Sequence, residues 1–222
     1  MKYEIINSGS DGNAVVIEGE VLIDCGVSFK RLAKYYRDLK IVLLTHIHTD
    51  HFNKRTINRL GQERPTLRFG CCGWLAADLA SCGIPADRAD IYKTGRSYDY
   101  GALQVEPVKL RHNVDNCGYK ICIRGQKLFY ATDTGSLDSI EAKGYDLYMV
   151  EANYTDDEME RRIKEKEESG VYPYEYEVMQ NHLSKSKCDD FIYRNITGGE
   201  YIYMHQHRGG ENHVDSRADS RI

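Results

Sequence analysis

Three histidines and an aspartate fall within six consecutive positions of Thr45-His46-Ile47-His48-Thr49-Asp50-His51. Imidazole nitrogens with a carboxylate suit Zn²⁺ and other first-row divalent ions, whereas Mg²⁺ and Ca²⁺ prefer oxygen donors throughout. A merely polar or pH-sensitive loop is the poorer account, because imidazoles packed this closely repel once protonated and then need a counter-charge. The block directly follows the apolar run Ile41-Val42-Leu43-Leu44, which reads as a buried strand. His46, His48, Asp50 and His51 then stand on the loop at its end, a rigid place to mount ligands.

The elements around that loop alternate. Segments 2–6, 14–17 and 21–23 read as short strands broken by Gly9, Gly12 and Gly19, and 28–36 reads as a helix capped by Ser28. Further strands are expected at 67–69, 103–108, 118–123, 127–131 and 147–150, with helices over 74–81 and 185–194. This pattern suits sheets covered by helices, of α/β or α+β class. A length of 222 residues fits one domain over 1–222. Within it, 155–180 reads as an insertion. Positions 156–169 are almost entirely charged, with Glu160 and Lys164 spaced for an i,i+4 pair, and read as a solvated helix or an arm. Tyr172, Tyr174 and Tyr176 alternate, so an extended segment would put them on one face, for packing on the sheet, on bases or on a second subunit.

Composition limits the partners. A formal net charge of −4 and a pI near 6.1 argue against a general binder of long duplexes, which carries a basic footprint. Local basic groups such as Lys30, Arg31, Lys54, Arg55, Lys185, Lys187, Arg194 and Arg208 can still line a groove. Seven cysteines without Cys-x-x-Cys spacing read as reduced core residues. No stretch has the apolar length of a membrane span and the N-terminus lacks a secretory pattern, so the expectation is a cytoplasmic protein with no membrane partner.

The heptapeptide resembles the His-x-His-x-Asp-His signature of the metallo-β-lactamase superfamily, and other landmarks follow in that family's order: His112 in Leu110-Arg111-His112-Asn113, Asp133 in Thr132-Asp133-Thr134-Gly135, and His205 after Tyr201-Ile202-Tyr203-Met204. The resemblance covers nearly the whole chain and implies a four-layer αββα sandwich with metals at one edge of two sheets. It also implies two divalent ions, with Zn²⁺ favoured and Mn²⁺ or Fe as alternatives. His46, His48 and His112 would hold one; Asp50, His51 and His205 would hold the other; Asp133 would bridge them. His207 is the fallback for His205. Asp24, in Ile23-Asp24-Cys25-Gly26, matches an acidic residue that braces the ligand loop.

Two more elements, Val150-Glu151-Ala152-Asn153 and Asn181-His182-Leu183-Ser184, resemble the phosphodiesterase branch that includes tRNA 3′-processing endonucleases. There the glutamate orients a histidine that protonates the leaving oxygen, which makes Asp50, Glu151 and His182 the implied catalytic residues. Six of the eight histidines thus enter one arrangement. The opening Asn7-Ser8-Gly9-Ser10-Asp11-Gly12-Asn13 and the tail Met204 to Asn212 look most like a bacterial subgroup related to DNA 5′ exonucleases. Departures are Asn181, where the subgroup has glycine, and Gln206-His207, where it has Leu-Ser. The implied function is a two-metal phosphodiester hydrolase, foremost a DNA nuclease of 5′ exonuclease type, with DNA or a nucleotide as substrate and a homodimer allowed. Alternatives are a cyclic-nucleotide phosphodiesterase, a thioester or lactone hydrolase of the same fold, and a non-catalytic metal-binding protein.

Overall fold

The computed structural model describes residues 1–206. His207 and Arg208 lie outside the described residues. The chain divides into two compact units, Met1–Ser97 and a second from Tyr98 onward.

The first unit is built on a six-stranded sheet in sequential order: β1 (Tyr3–Asn7), β2 (Ala14–Ile17), β3 (Val21–Ile23), β4 (Ile41–Leu44), β5 (Arg68–Cys72) and β6 (Ala89–Tyr92). β1 to β3 pair antiparallel, and β3 to β6 pair parallel. A parallel step needs a crossover. Helices α1 (Phe29–Leu32), α2 (Lys54–Glu63) and α3 (Ala76–Ser81) lie in those crossovers. β2, β3 and β4 are buried along their whole length, which is why they read as continuous apolar runs.

The helix expected over 28–36 is a single turn, and Ser28 occupies its N-cap position without a side-chain capping bond. Within that stretch Leu32 is fully buried and Phe29, Tyr35 and Tyr36 pack partly buried against the same core, but the chain continues after Leu32 in turns rather than as a helix. No element is expected from the sequence over the polar stretch that forms α2. The Asn53 side chain caps it by accepting from Thr56 N–H, Ile57 and Leu60 face the core, and Pro65 follows its end.

The second unit has its own six-stranded sheet, in which β7 (Tyr98–Asp99), β8 (Leu103–Leu110), β9 (Asn116–Ile123) and β10 (Gln126–Ala131) pair antiparallel. β11 (Leu147–Glu151) and β12 (Glu200–Met204) then add in parallel. Helices α4 (Asp156–Glu168), α5 (Glu175–Asn181) and α6 (Lys185–Asn195) lie between those last two strands. Phe191, Ile192 and Cys188 of α6 pack with Phe129, Tyr148 and Val150. Ser184 caps α6 by accepting from Lys187 N–H.

The extended tyrosine segment is a correction: Tyr176 lies inside α5, Tyr174 is its N-cap in helical conformation, and Tyr172, Tyr174 and Tyr176 are all exposed. The alternation had a local competitor. Lys166 of α4 bonds the buried Glu175 at 2.8 Å and sits 3.4 Å above the Tyr174 ring, which fixes the start of α5. Lys164 pairs with Glu168 rather than with Glu160. Two of the presumed groove lysines are also engaged, Lys54 with Asp78 and Lys185 with Asp189. Cys25, Cys71, Cys82 and Cys188 are buried thiols, and burial pushes Cys71 up to about 12. No helix among the described residues is long and apolar enough to cross a membrane.

Candidate metal centre

In both units several of the chemistry-bearing residues stand at the carboxyl ends of strands that have a parallel partner, where open α/β sheets place their ligands, whereas His112 follows the antiparallel β8 and His182 caps the end of α5. Asp24 follows β3 and His46 comes two residues after β4; Asp133 comes two residues after β10, Glu151 ends β11 and His205 follows β12. Asp24, Asp133 and His205 each take a left-handed backbone, with φ of 58°, 57° and 50°. Such conformations are costly for residues other than glycine and cluster at functional sites. Here each turns the chain sharply as it leaves its strand.

In the first unit, His46 lies edge-on to His48 with ring centroids 4.8 Å apart, and 4.2 Å from His51. Asp24, fully buried, gathers this loop. Its Oδ2 accepts from His51 Nδ1 at 2.7 Å, and its Oδ1 accepts from the Thr45 backbone N–H at 3.0 Å and the Thr45 hydroxyl at 2.9 Å. Asn13 holds the other side. Gly9 N–H donates to Asn13 Oδ1, which turns Nδ2 toward His51 Nε2 at 2.8 Å and toward the carbonyl and carboxylate of Asp50, each at 3.3 Å. Gly26 is required here: a Cβ on it would come within 1.6 Å of the Asp50 carbonyl oxygen.

In the second unit, donor atoms of Asp133, Glu151, His182 and His205 all lie within 4.8 Å of one another. Glu151 is fully buried and both its oxygens are engaged. Oε1 lies 2.7 Å from His182 Nδ1 and 3.2 Å from His205 Nδ1, while Oε2 accepts from Thr134 N–H at 2.9 Å and Leu183 N–H at 3.2 Å. A carboxylate so committed braces histidines rather than ligating an ion itself. Burial and the Asp133 charge work against the ionised form, but the bonds from His182 and His205 outweigh them and hold Glu151 below the usual carboxylate range. Burial likewise disfavours the charged form of His182, yet the Glu151 bond and the charges of Glu151 and Asp133 raise it above the ordinary histidine value. His205 Nε2 faces Asp133 Oδ1 at 3.6 Å. His112 Nδ1 donates to the Asn181 carbonyl at 3.0 Å, and its ring stands edge-on to His182 at 5.3 Å.

This donor set fits a divalent transition metal. His51 and His112 each turn Nδ1 to an oxygen acceptor, which leaves Nε2 as the lone-pair donor, the arrangement typical of metal-binding histidines, while His205 Nδ1 lies 3.2 Å from both Glu151 Oε1 and Asn153 Nδ2. Each unit by itself offers imidazole and carboxylate donors of the kind zinc takes: His46, His48, Asp50 and His51 in the first, and His112, Asp133 and His205 in the second.

Several supporting residues carry no role in the sequence reading. Asn13 closes the Asn7–Asn13 segment, Thr45 immediately precedes His46, and Asn153 donates to the His205 carbonyl at 2.9 Å. Each lies within a quoted segment, but an amide or hydroxyl declares its partner only once folded.

Comparison with known proteins agrees with this architecture. A Bacillus anthracis protein named exodeoxyribonuclease YycJ is 26% identical over 168 residues, 69% of this chain and 63% of that protein, so the match takes in less than two thirds of the relative's length. Among solved structures, the metallo-β-lactamase fold protein YhfI from Bacillus subtilis superposes with a TM-score of 0.71 at 16% identity, covering 94% of this chain and 87% of that one. Human tRNase Z, short form, superposes with a TM-score of 0.65 at 17% identity, covering 94% and 93%. The model of the β-lactamase superfamily domain matches residues 20–184, well over half of the chain. The chain therefore belongs to the β-lactamase superfamily and has the metallo-β-lactamase fold.

Proposed function

We propose that this chain is a metal-dependent phosphodiester hydrolase that cleaves DNA, of 5′ exonuclease type. The observation that carries the reading is the Glu151–His182 pair, with 2.7 Å between Oε1 and Nδ1, the carboxylate buried and the imidazole side chain 20% exposed. An alkoxide leaving from phosphorus needs a proton, and a charged, oriented imidazole at the edge of the site delivers one. Hydrolysis of thioesters has far less need of such a donor, since thiolate leaves readily. The relatives support the choice of substrate: one is named an exodeoxyribonuclease and another a tRNase, both acting on nucleic acid.

In this reading His46, His48 and His112 would hold one ion, Asp50, His51 and His205 would hold the second, and Asp133 would be a ligand as well. Bound there, such ions would supply a hydroxide nucleophile at neutral pH and positive charge for the phosphoryl oxygens. The protein's own residues do the rest. Asp24 and Asn13 hold the His46–His51 loop, Glu151 aims His182 and His205, and His182 Nε2 gives its proton to the departing oxygen. Zinc is the resident ion by donor type, with the cytoplasm as compartment, supported by buried thiols at Cys25, Cys71 and Cys188. With a net charge of −4, attraction for phosphate comes mainly from the ions and not from a basic surface.

The test is turnover of metal-analysed protein on 5′-labelled single- and double-stranded DNA, RNA, cyclic mononucleotides and bis-p-nitrophenyl phosphate. Stepwise loss of nucleotides from DNA is expected. Opening of cyclic nucleotides with inert polymers would assign a small-molecule phosphodiesterase instead, and cleavage of thioesters alone would overturn the phosphodiesterase reading.

A further inference from the structure

We propose that Thr45 is a positioning residue that selects the tautomer of His46, so that one carboxylate, Asp24, keeps the Nε2 atoms of two imidazoles, His46 and His51, available as metal donors. The proposal rests on the metal-dependent reading above and adds a residue that reading does not use.

The protons available to these groups determine the tautomer. An ionised carboxylate only accepts, and a hydroxyl has a single proton to give. The Thr45 hydroxyl lies 2.9 Å from Asp24 Oδ1 and also 2.9 Å from His46 Nδ1. Its proton goes to Asp24, so the hydroxyl oxygen turns a lone pair to His46, and the proton of that contact belongs to His46 Nδ1. Nε2 of His46 is then the unprotonated nitrogen. The other oxygen of Asp24 does the same to His51 without an intermediary, through Nδ1 at 2.7 Å. Asn13 supplies an independent check on that half. Its Oδ1 is committed to Gly9 N–H, so the group 2.8 Å from His51 Nε2 is an amide N–H, which requires a lone pair on that nitrogen. Asp24, Thr45, His46 and His51 are all buried, so water does not compete for these bonds.

Valine has nearly the shape of threonine and keeps the backbone N–H bond to Asp24, but has no hydroxyl. Without it, His46 has no acceptor at Nδ1 from residue 45, and the tautomer with the proton on Nε2, which cannot ligate, becomes populated. Loss of a group that orients a ligand histidine typically lowers metal affinity about 10–100-fold.

The experiment compares wild type, Thr45→Val and Thr45→Ser by two-bond ¹H–¹⁵N correlation of the histidine rings in metal-free protein, and by zinc competition against a chromophoric chelator. The expected result is a protonated Nδ1 on His46 in wild type and Thr45→Ser, a changed or mixed signature in Thr45→Val, and zinc affinity reduced about 10–100-fold in Thr45→Val only. A wild-type spectrum with the His46 proton on Nε2 overturns the proposal whether or not the variant folds. So does Thr45→Val with unchanged tautomer and affinity. If wild type shows the expected tautomer but binds no zinc, the metal-dependent reading fails while the relay stands.

Discussion

Glu151 and His182 meet at 2.7 Å through Oε1 and Nδ1, and the same oxygen lies 3.2 Å from Nδ1 of His205. One buried carboxylate therefore orients both the proposed proton donor and a proposed metal ligand. The two roles have opposite requirements, since His182 must carry a second proton to act as an acid and His205 must keep Nε2 free. Position separates them: the His182 side chain is 20% exposed, whereas His205 is buried with Nε2 toward Asp133.

This arrangement fixes a pH dependence. His182 is raised above its ordinary value of 6.5, so its charged form persists as pH passes through that value and is lost only at higher pH. The alkaline limb of kcat is expected above pH 6.5, and Glu151→Gln, which removes the negative charge, is expected to move it to lower pH. Glu151 itself is lowered, so its contribution to stability is present above the ordinary carboxylate range and lost as pH falls below it. Profiles of kcat against pH for both proteins check the first point, and acid unfolding of wild type against Glu151→Gln checks the second.

Asp133 and His182 should separate on metal analysis. Asp133→Ala removes a proposed ligand shared by both ions and is expected to lower metal content together with activity. His182→Ala is expected to keep its metal and lose turnover. Equal metal loss in the two variants, measured on the same preparations, would mean that His182 is a ligand and not the acid.

Two glycines mark where backbone is pressed against the site. A Cβ at Gly26 would meet the Asp50 carbonyl oxygen at 1.6 Å, and one at Gly135 would meet the Gln180 carbonyl oxygen at 2.0 Å. Backbone atoms cannot swing aside as a flexible side chain can, so Gly26→Ala and Gly135→Ala are each expected to cost at least about 1–3 kcal/mol. The check is chemical denaturation. Gly19→Ala is the control for added bulk, because nothing lies within 4 Å of its Cβ position, although its φ of 71° carries a strain of its own.

Much of this was legible beforehand. The Ile41–Leu44 run announced β4, and the residues after it announced the chemistry, because a buried parallel strand leaves a continuous apolar signal and ligands cluster at its end. The Tyr201–Met204 strand likewise ends just before His205. Where the reading failed, local pattern was weaker than a distant contact. α2 shows few apolar residues, yet Ile57 and Leu60 are enough once Asn53 caps it. Tyr172, Tyr174 and Tyr176 mimic a strand, but the Lys166–Glu175 ion pair sets a helix there. Asn13 and Thr45 could not be assigned from spacing, since their value lies in bonds to Asp50, His51, Asp24 and His46 that only the fold brings together.

Acid delivery by His182 in phosphodiester cleavage is tested by comparing leaving groups in His182→Ala. DNA expels a poor leaving group that needs a proton, whereas p-nitrophenolate leaves without one. The variant is expected to lose about 10²–10⁴-fold in kcat on DNA while hydrolysing a p-nitrophenyl phosphodiester at nearly the wild-type rate. Equal losses on both substrates, or no loss on DNA, would contradict the account.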